Sequence, residues 1–315
     1  MKVKLSILFL LVLYFNLSCA NREKEELIKK GEEAYSEGRY EEAIKSFDKA
    51  MKINSEDKIL LNYKGNCLTR TGRHKEAIEC YDKILKLDPL DKYVWYARGL
   101  AFLELDNYEE AIKCYDKTLE IDPLYTSALS NKGNALYKQD KYEEAIKYYD
   151  KSLALDPNNI IVWDNKGLAL AGQGKNEEAI KCYDKVLTID PSSIDTWNYR
   201  GVALTLLKKY DEAIKCFDKA VAIDSENVYA WHYKGFALTL QKKYEKAIDC
   251  FNKVLEIDSE HIEALNYKGF VLTLQKKYRE AIECFDKVLE INPDYIEAKI
   301  NRDDALKAMD RGSER

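Results

Sequence analysis

Histidine is nearly missing from this 315-residue chain: His74, His232 and His261 are the only three. Three scattered imidazoles leave little for histidine-based catalysis or a histidine metal site. No CxxC pair, Gly-rich phosphate loop or nucleophile elbow occurs, so the usual marks of redox, nucleotide and hydrolase chemistry are absent. A basic excess is lacking too. Fifty Lys and Arg face 55 Asp and Glu, for a formal net charge of −5, which argues against a nucleic-acid binder. Long apolar runs are scarce. Leu5 to Phe15, broken only by Ser6, is the longest, and it falls short of the about 20 residues that span a bilayer. Proline is down to five residues. What remains is 46% hydrophobic and 33% charged, ample material for a folded core.

The few prolines and glycines stand on a grid. Pro89, Pro123, Pro157, Pro191 and Pro293 share one phase of a 34-residue period. Gly31, Gly65, Gly99, Gly133, Gly167, Gly201, Gly235 and Gly269 follow one another at 34, and so do the alanines from Ala43 to Ala281. Each tryptophan stands four residues before one of these glycines. A fixed period of this length marks stacked supersecondary units. Eight repeats start at residues 24, 58, 92, 126, 160, 194, 228 and 262. In each, positions 4, 8 and 11 (Trp95, Gly99, Phe102) make the i, i+4, i+7 stripe of a first helix. Ala at 20, an aromatic at 24 and apolar residues at 28 and 30 (Tyr115, Leu119, Ile121) mark a second helix. Asp-Pro or Asn-Pro ends it, because proline disfavours the α region in the residue before it. Where Ser55, Ser225 and Ser259 replace proline, a softer stop is expected. Repeats seven and eight agree at 21 of 34 positions, which points to duplication within the chain.

The Trp95-Tyr96-Ala97-Arg98-Gly99 start, the Tyr142-Glu143-Glu144-Ala145 middle and the Leu155-Asp156-Pro157 end resemble the tetratricopeptide repeat (TPR) family. The resemblance covers residues 24–295 without a gap. It implies an all-α, right-handed solenoid of eight 34-residue helix pairs, with a concave groove lined by first helices. Residues 296–311 read as a C-terminal capping helix, on which Arg302 stands where an apolar residue is expected, and 312–315 as a frayed tail.

Lys2 and Lys4 ahead of the apolar run make residues 1–19 a signal peptide. Two cleavage readings stay open. Phe15-Asn16-Leu17-Ser18-Cys19 resembles a bacterial lipoprotein signal, with Cys19 lipidated and residues 20–23 as a short tether; alternatively, Ser18-Cys19-Ala20 is a small-residue site cut after Ala20. An uncleaved anchor is a third option. Each places the repeats outside the cytoplasm, with a lipid anchor as the expected membrane attachment and no transmembrane helix in the mature chain. Six of the other cysteines occupy position 23 of their repeats, and Cys67 lies on a first helix. Equivalent positions in neighbouring repeats are too far apart for disulfides, so these read as free, buried thiols.

The glycine stripe faces the core, leaving positions 5, 9 and 12, flanked by 2, 6 and 13, for the groove that the resemblance implies. The candidate peptide-binding residues are Asn62, Asn66, Asn131, Asn134, Asn165, Asn198, Tyr199, His232, Tyr233, Phe236, Asn266, Tyr267 and Phe270, with Asp164 and Leu168 on the same stripe. Asparagine offers both donor and acceptor to peptide amides, and aromatic rings suit apolar anchors. The alternative reading is that these rings fill space between adjacent first helices. The basic clamp by which some TPR domains hold a C-terminal carboxylate is absent, since Asn62 and Ser130 stand where its lysine would be. Paired glutamates such as Glu109-Glu110 recur with the repeat, as expected of a helix's first turn. The expectation is a non-enzymatic interaction scaffold of the cell envelope, without cofactor or metal, binding a protein or peptide in its groove. The alternative is an architectural or assembly solenoid that binds through its convex face or its ends.

Overall fold

The computed structural model describes residues 21–53 and 57–313. The signal segment, Cys19 and the cleavage alternatives lie outside them. Among the described residues there are seventeen helices and no strand, an all-α repeat solenoid. The chain divides into two compact units, residues 1–157 and 158–315. The first holds α1 (21–36), α2 (Tyr40–Met51), α3 (Lys58–Arg70), α4 (His74–Leu87), α5 (Lys92–Leu103), α6 (Tyr108–Ile121), α7 (Thr126–Lys138) and α8 (Tyr142–Leu155). The second holds α9 (Ile160–Gly172), α10 (Asn176–Ile189), α11 (Ile194–Leu206), α12 (Tyr210–Ile223), α13 (Val228–Leu240), α14 (Tyr244–Ile257), α15 (Ile262–Leu274), α16 (Tyr278–Ile291) and α17 (Ile296–Ser313). Odd-numbered helices are the first of each pair, and α17 is a first helix with no second helix after it among the described residues.

The expected ends shift slightly. The first helix already includes residue 21, so residues 21–23 of the expected tether are helical, helped by an Arg22–Glu26 pair one turn apart at 3.6 Å. At the other end α17 continues through Ser313, into the tail expected to fray.

Glycine at position 8 lets the two helices of a repeat meet on one aromatic ring. A Cβ on Gly99 would lie 2.6 Å from Tyr115 Cε1, and one on Gly235 would lie 2.8 Å from Phe251 Cε1. Those rings are fully buried. Tryptophan at position 4 fastens the preceding loop: Trp95 Nε1 donates to the Pro89 carbonyl (2.8 Å), Trp197 to Pro191 (2.9 Å) and Trp231 to Ser225 (2.9 Å).

From α4 onward the second helices stop at the same place with or without proline; α2 ends two positions earlier, at Met51, and Ser55, which follows it, lies outside the described residues. Next to Pro89 and Pro123, α4 and α6 end at Leu87 and Ile121; next to Ser225 and Ser259, α12 and α14 end at Ile223 and Ile257. The softer stop expected there does not occur. The aspartate does the work instead, because Asp88, Asp122, Asp224 and Asp258 each accept a bond from the backbone N–H two residues on. This Asx turn gives the chain an alternative to continuing the helix.

A ladder of ion pairs joins neighbouring repeats within each unit. Position 7 carries a cation that reaches the position-25 aspartate of the preceding repeat: Lys64–Asp48, Arg98–Asp82 (2.8 Å) and Lys132–Asp116 in the first unit. The second unit has Arg200–Asp184 (2.8 Å), Lys234–Asp218 (2.6 Å) and Arg302–Asp286. Arg302 therefore follows the repeat rule rather than displacing an apolar residue. The same cation touches the position-23 thiol, with Arg98 Nη1 3.1 Å from Cys114 Sγ and Arg200 Nη1 3.0 Å from Cys216 Sγ. All seven cysteines of the described residues are buried, and none is in a disulfide.

Candidate functional site

Helical spacing puts positions 2, 6, 9 and 13 of each first helix on one stripe, while position 5 turns into the seam between neighbouring first helices. The asparagines of the first unit are bonded within its own packing. Asn66 Nδ2 donates to Asn62 Oδ1 (3.0 Å), and the Tyr81 hydroxyl donates to Asn66 Oδ1 (3.1 Å). Two repeats on, Asn131 Nδ2 donates to the Tyr96 hydroxyl (2.8 Å), Asn134 Nδ2 to Asn131 Oδ1 (3.3 Å), and the Tyr149 hydroxyl to Asn134 Oδ1 (2.8 Å). Beside the first of these groups opens a cleft of about 680 Å³ lined by Tyr35, Asn66, Thr69, His74, Tyr81 and Leu100, among others.

In the second unit, Asn198 and Asn266 are buried, at 2% and 5% exposure. Asn198 Nδ2 donates to Asn227 Oδ1 (3.3 Å), and Asn266 Oδ1 accepts from Asn301 Nδ2 (3.2 Å). Asn165 is half-buried on α9. The rings form a chain of contacts. Tyr199 lies 6.0 Å from Tyr183, Tyr233 lies 4.3 Å from Tyr229, and Tyr267 lies within 5.6 Å of both His232 and Phe236. Phe270 stands out from this group at 39% exposure.

Two ionisable groups in the position-5 seam of the second unit are shifted. Burial, with His261 adding to it, holds His232 down to about 4, so its ring is neutral at physiological pH. Its Nδ1 is buried without a hydrogen-bond partner among the described residues. His261 is not the solvated loop residue its place suggests: it caps α15, its Nδ1 accepting from the Ala264 N–H at 3.2 Å. Asp164 is half-buried, and burial lifts its carboxyl to about 6, with Asp195 contributing. Both of its oxygens lie 2.9 Å from the single Thr196 Oγ1.

Sequence reasoning passed over the position-13 leucines. Leu206, Leu240 and Leu274 are 61%, 42% and 43% exposed, and Tyr229 at position 2 is 40% exposed. The three leucines, at equivalent positions of α11, α13 and α15, make an exposed apolar row with Phe270, one turn earlier on α15. The signal was present in the repeated Thr-Leu-Leu-Lys-Lys and Thr-Leu-Gln-Lys-Lys segments, but exposure is not visible in a pattern of residue types. Among the described residues no group of three metal-ligating side chains comes together, and no helix is long and apolar enough to cross a membrane.

Sequence profiles described as tetratricopeptide repeat or TPR repeat match residues 34–101, 93–125, 126–159, 148–181 and 167–207. They run on from one another over more than half the chain, and two of them, 93–125 and 126–159, each coincide with one helix pair. The chain belongs to the tetratricopeptide repeat family. A profile described as anaphase-promoting complex, cyclosome, subunit 3 matches residues 206–288 of this TPR chain. No curated protein sequence matches it. Among solved structures it is similar to YrrB, described as a TPR protein with an unusual peptide-binding site, at 26% identity and a TM-score of 0.52 over 60% of this chain and 97% of YrrB. MamA from Desulfovibrio magneticus RS-1 is 25% identical over 54% of this chain and 96% of its own, with a TM-score of 0.51. A TPR protein from Parabacteroides merdae has the same fold, with 19% identity and a TM-score of 0.61 over 80% of this chain and 99% of its own.

Proposed function

We propose that this TPR chain is a protein–protein interaction scaffold that holds a segment of a partner against the first helices of its second unit. The observation that carries the reading is the exposed row Leu206, Leu240, Phe270 and Leu274. A contiguous apolar patch rimmed by polar residues is the usual mark of an interaction surface. The seam asparagines then act by fixing the spacing of the first helices, and the rings of Tyr233, Phe236 and Tyr267 form the floor on which a partner side chain packs. The peptide-binding site of YrrB supports a peptide or protein ligand. In this reading the chain is not an enzyme, and it works in the cell envelope, held by a lipid on Cys19 or released by cleavage after Ala20.

A second reading is favoured by α17, where Ile296 and Ile300 are 69% and 55% exposed on a helix with no second helix after it among the described residues. An architectural role through this end would use those residues instead. Capture of partners from intact envelopes separates the two. The Leu240→Ala/Phe270→Ala variant is expected to lose its partners, at about 1–2 kcal/mol for each truncated anchor, while its helical circular dichroism and melting stay as in the wild type. Partners kept by this variant and lost by Ile296→Ser/Ile300→Ser would move the interface to the end of the chain.

A further inference from the structure

The turn between the two helices of a repeat holds one residue at positive φ. It is Gly38, Gly72 and Gly174 at 75° in three repeats, and Asp106 and Asp140 at 54° and 59° in two more. In the last three repeats it is lysine: Lys208, Lys242 and Lys276, at 61°, 60° and 63°. The left-handed region suits glycine and tolerates Asn or Asp, whose short side chains bond locally. Lysine has no such compensation, so each of these turns carries a conformational cost that glycine would remove.

The three lysines stand at one edge of the apolar row. Each follows an exposed leucine by two residues (Leu206, Leu240, Leu274) and precedes a second lysine. Two of those second lysines, Lys243 and Lys277, are spoken for by Asp211 (3.5 Å) and Glu245 (3.4 Å). Among the described residues no carboxylate pairs with Lys208, Lys242 or Lys276, and all three are exposed. The opposite edge of the same face is acidic, with Asp195 and Glu263 in the first turns of α11 and α15. Asp164 lies on α9 beside Asp195, and no cationic side chain among the described residues pairs with it.

We propose that the last three repeats receive an amphipathic segment of a partner protein, its acidic flank along Lys208, Lys242 and Lys276 and its apolar stripe on the leucine–phenylalanine row. This rests on the first-helix face being the binding face. Packed helices stand about 8–10 Å apart, which is about five to seven residues of a partner helix at about 1.5 Å per residue, and of these spacings seven returns carboxylates to one flank. An anionic membrane fits less well, since a flat negative surface reaching the lysines would also meet the acidic edge.

The test uses the full chain and a fluorescein-labelled helical probe of about 21 residues, six turns at the helical pitch, with a leucine stripe and Glu at every seventh position on one flank. A second probe replaces those Glu by Gln. At low ionic strength, where surface charges are least screened, the wild type is expected to bind the Glu probe at least about tenfold tighter than the Gln probe. The Lys208→Gly/Lys242→Gly/Lys276→Gly variant is expected to lose that preference and yet melt at or above the wild-type temperature, because glycine relieves the positive φ. Equal binding of the two probes, failure to bind the Glu probe, or full binding by the glycine variant would overturn the proposal. Lysine-dependent sedimentation with phosphatidylglycerol vesicles and not with phosphatidylcholine vesicles would also overturn it, in favour of lipid. If Leu240→Ala/Phe270→Ala abolishes partner capture while the glycine variant captures normally, the binding face stands and the charge assignment alone falls.

Discussion

Asp164 and His232 fill the same position two repeats apart, and burial drives both toward their neutral forms. The consequences for stability run in opposite directions. The Asp164 carboxyl, lifted to about 6, holds its proton more tightly in the folded chain than in the unfolded one, so its contribution falls as pH rises from its ordinary range to about 6. The His232 imidazole, held down to about 4, resists protonation when folded, so its contribution is full above its ordinary range and lost as pH falls toward 4. In the wild type the two slopes oppose each other over much the same acidic window. Asn is the natural replacement for both, since Asn198 and Asn266 occupy this seam. Asp164→Asn is expected to stabilise the chain near neutral pH by on the order of 1 kcal/mol, a figure discounted because the carboxyl is partly exposed to screening solvent. Its melting temperature should rise with pH between about 4 and 6, the window of the opposing histidine. His232→Asn should show the reverse slope. Thermal melts across that range check both, and parallel curves for the two variants would contradict the assignment.

The elements are set by small groups at fixed positions. Helix propensity alone would favour alanine over glycine at position 8 by about 1 kcal/mol. The ring of Tyr115 decides otherwise, because the Cβ of Gly99→Ala would stand 2.6 Å from it. Gly99→Ala is expected to destabilise by about 1–3 kcal/mol, the usual cost of overpacking, and urea unfolding measures it. Gain of stability would mean that the helix pair can open without loss. The position of these helices was legible in the sequence, since the Gly, Ala and aromatic residues recur in phase. Their termination was legible for the wrong reason. Proline drew attention to the Asp-Pro junction, but the Asp224 and Asp258 turns do the same with serine in that place.

At the scale of the chain, the period of 34 specifies the eight helix pairs, and α17 continues the same phase. The candidate face was only partly legible. Phe236, Tyr233 and Tyr267 do come together around His232, but Phe270 stands exposed and Asn198 and Asn266 sink into the seam. Periodicity assigns a residue to a side of its own helix, and it is the distance to the next helix that decides whether that side is a surface or a joint. The inter-repeat ladder, such as Arg98 with Asp82 and Cys114, escaped notice because its members lie 16 residues apart on different helices.

The buried thiols have a further use. Desolvation pushes Cys250 up to about 11 and raises Cys114 from the ordinary thiol value. The nucleophile in disulfide exchange and alkylation is the thiolate, so each cysteine reacts only when its own repeat opens. The chain therefore carries a clock in nearly every repeat. Mass spectrometry of peptides alkylated for increasing times would read six position-23 residues, from Cys80 to Cys284, as six local opening rates in one unmodified molecule.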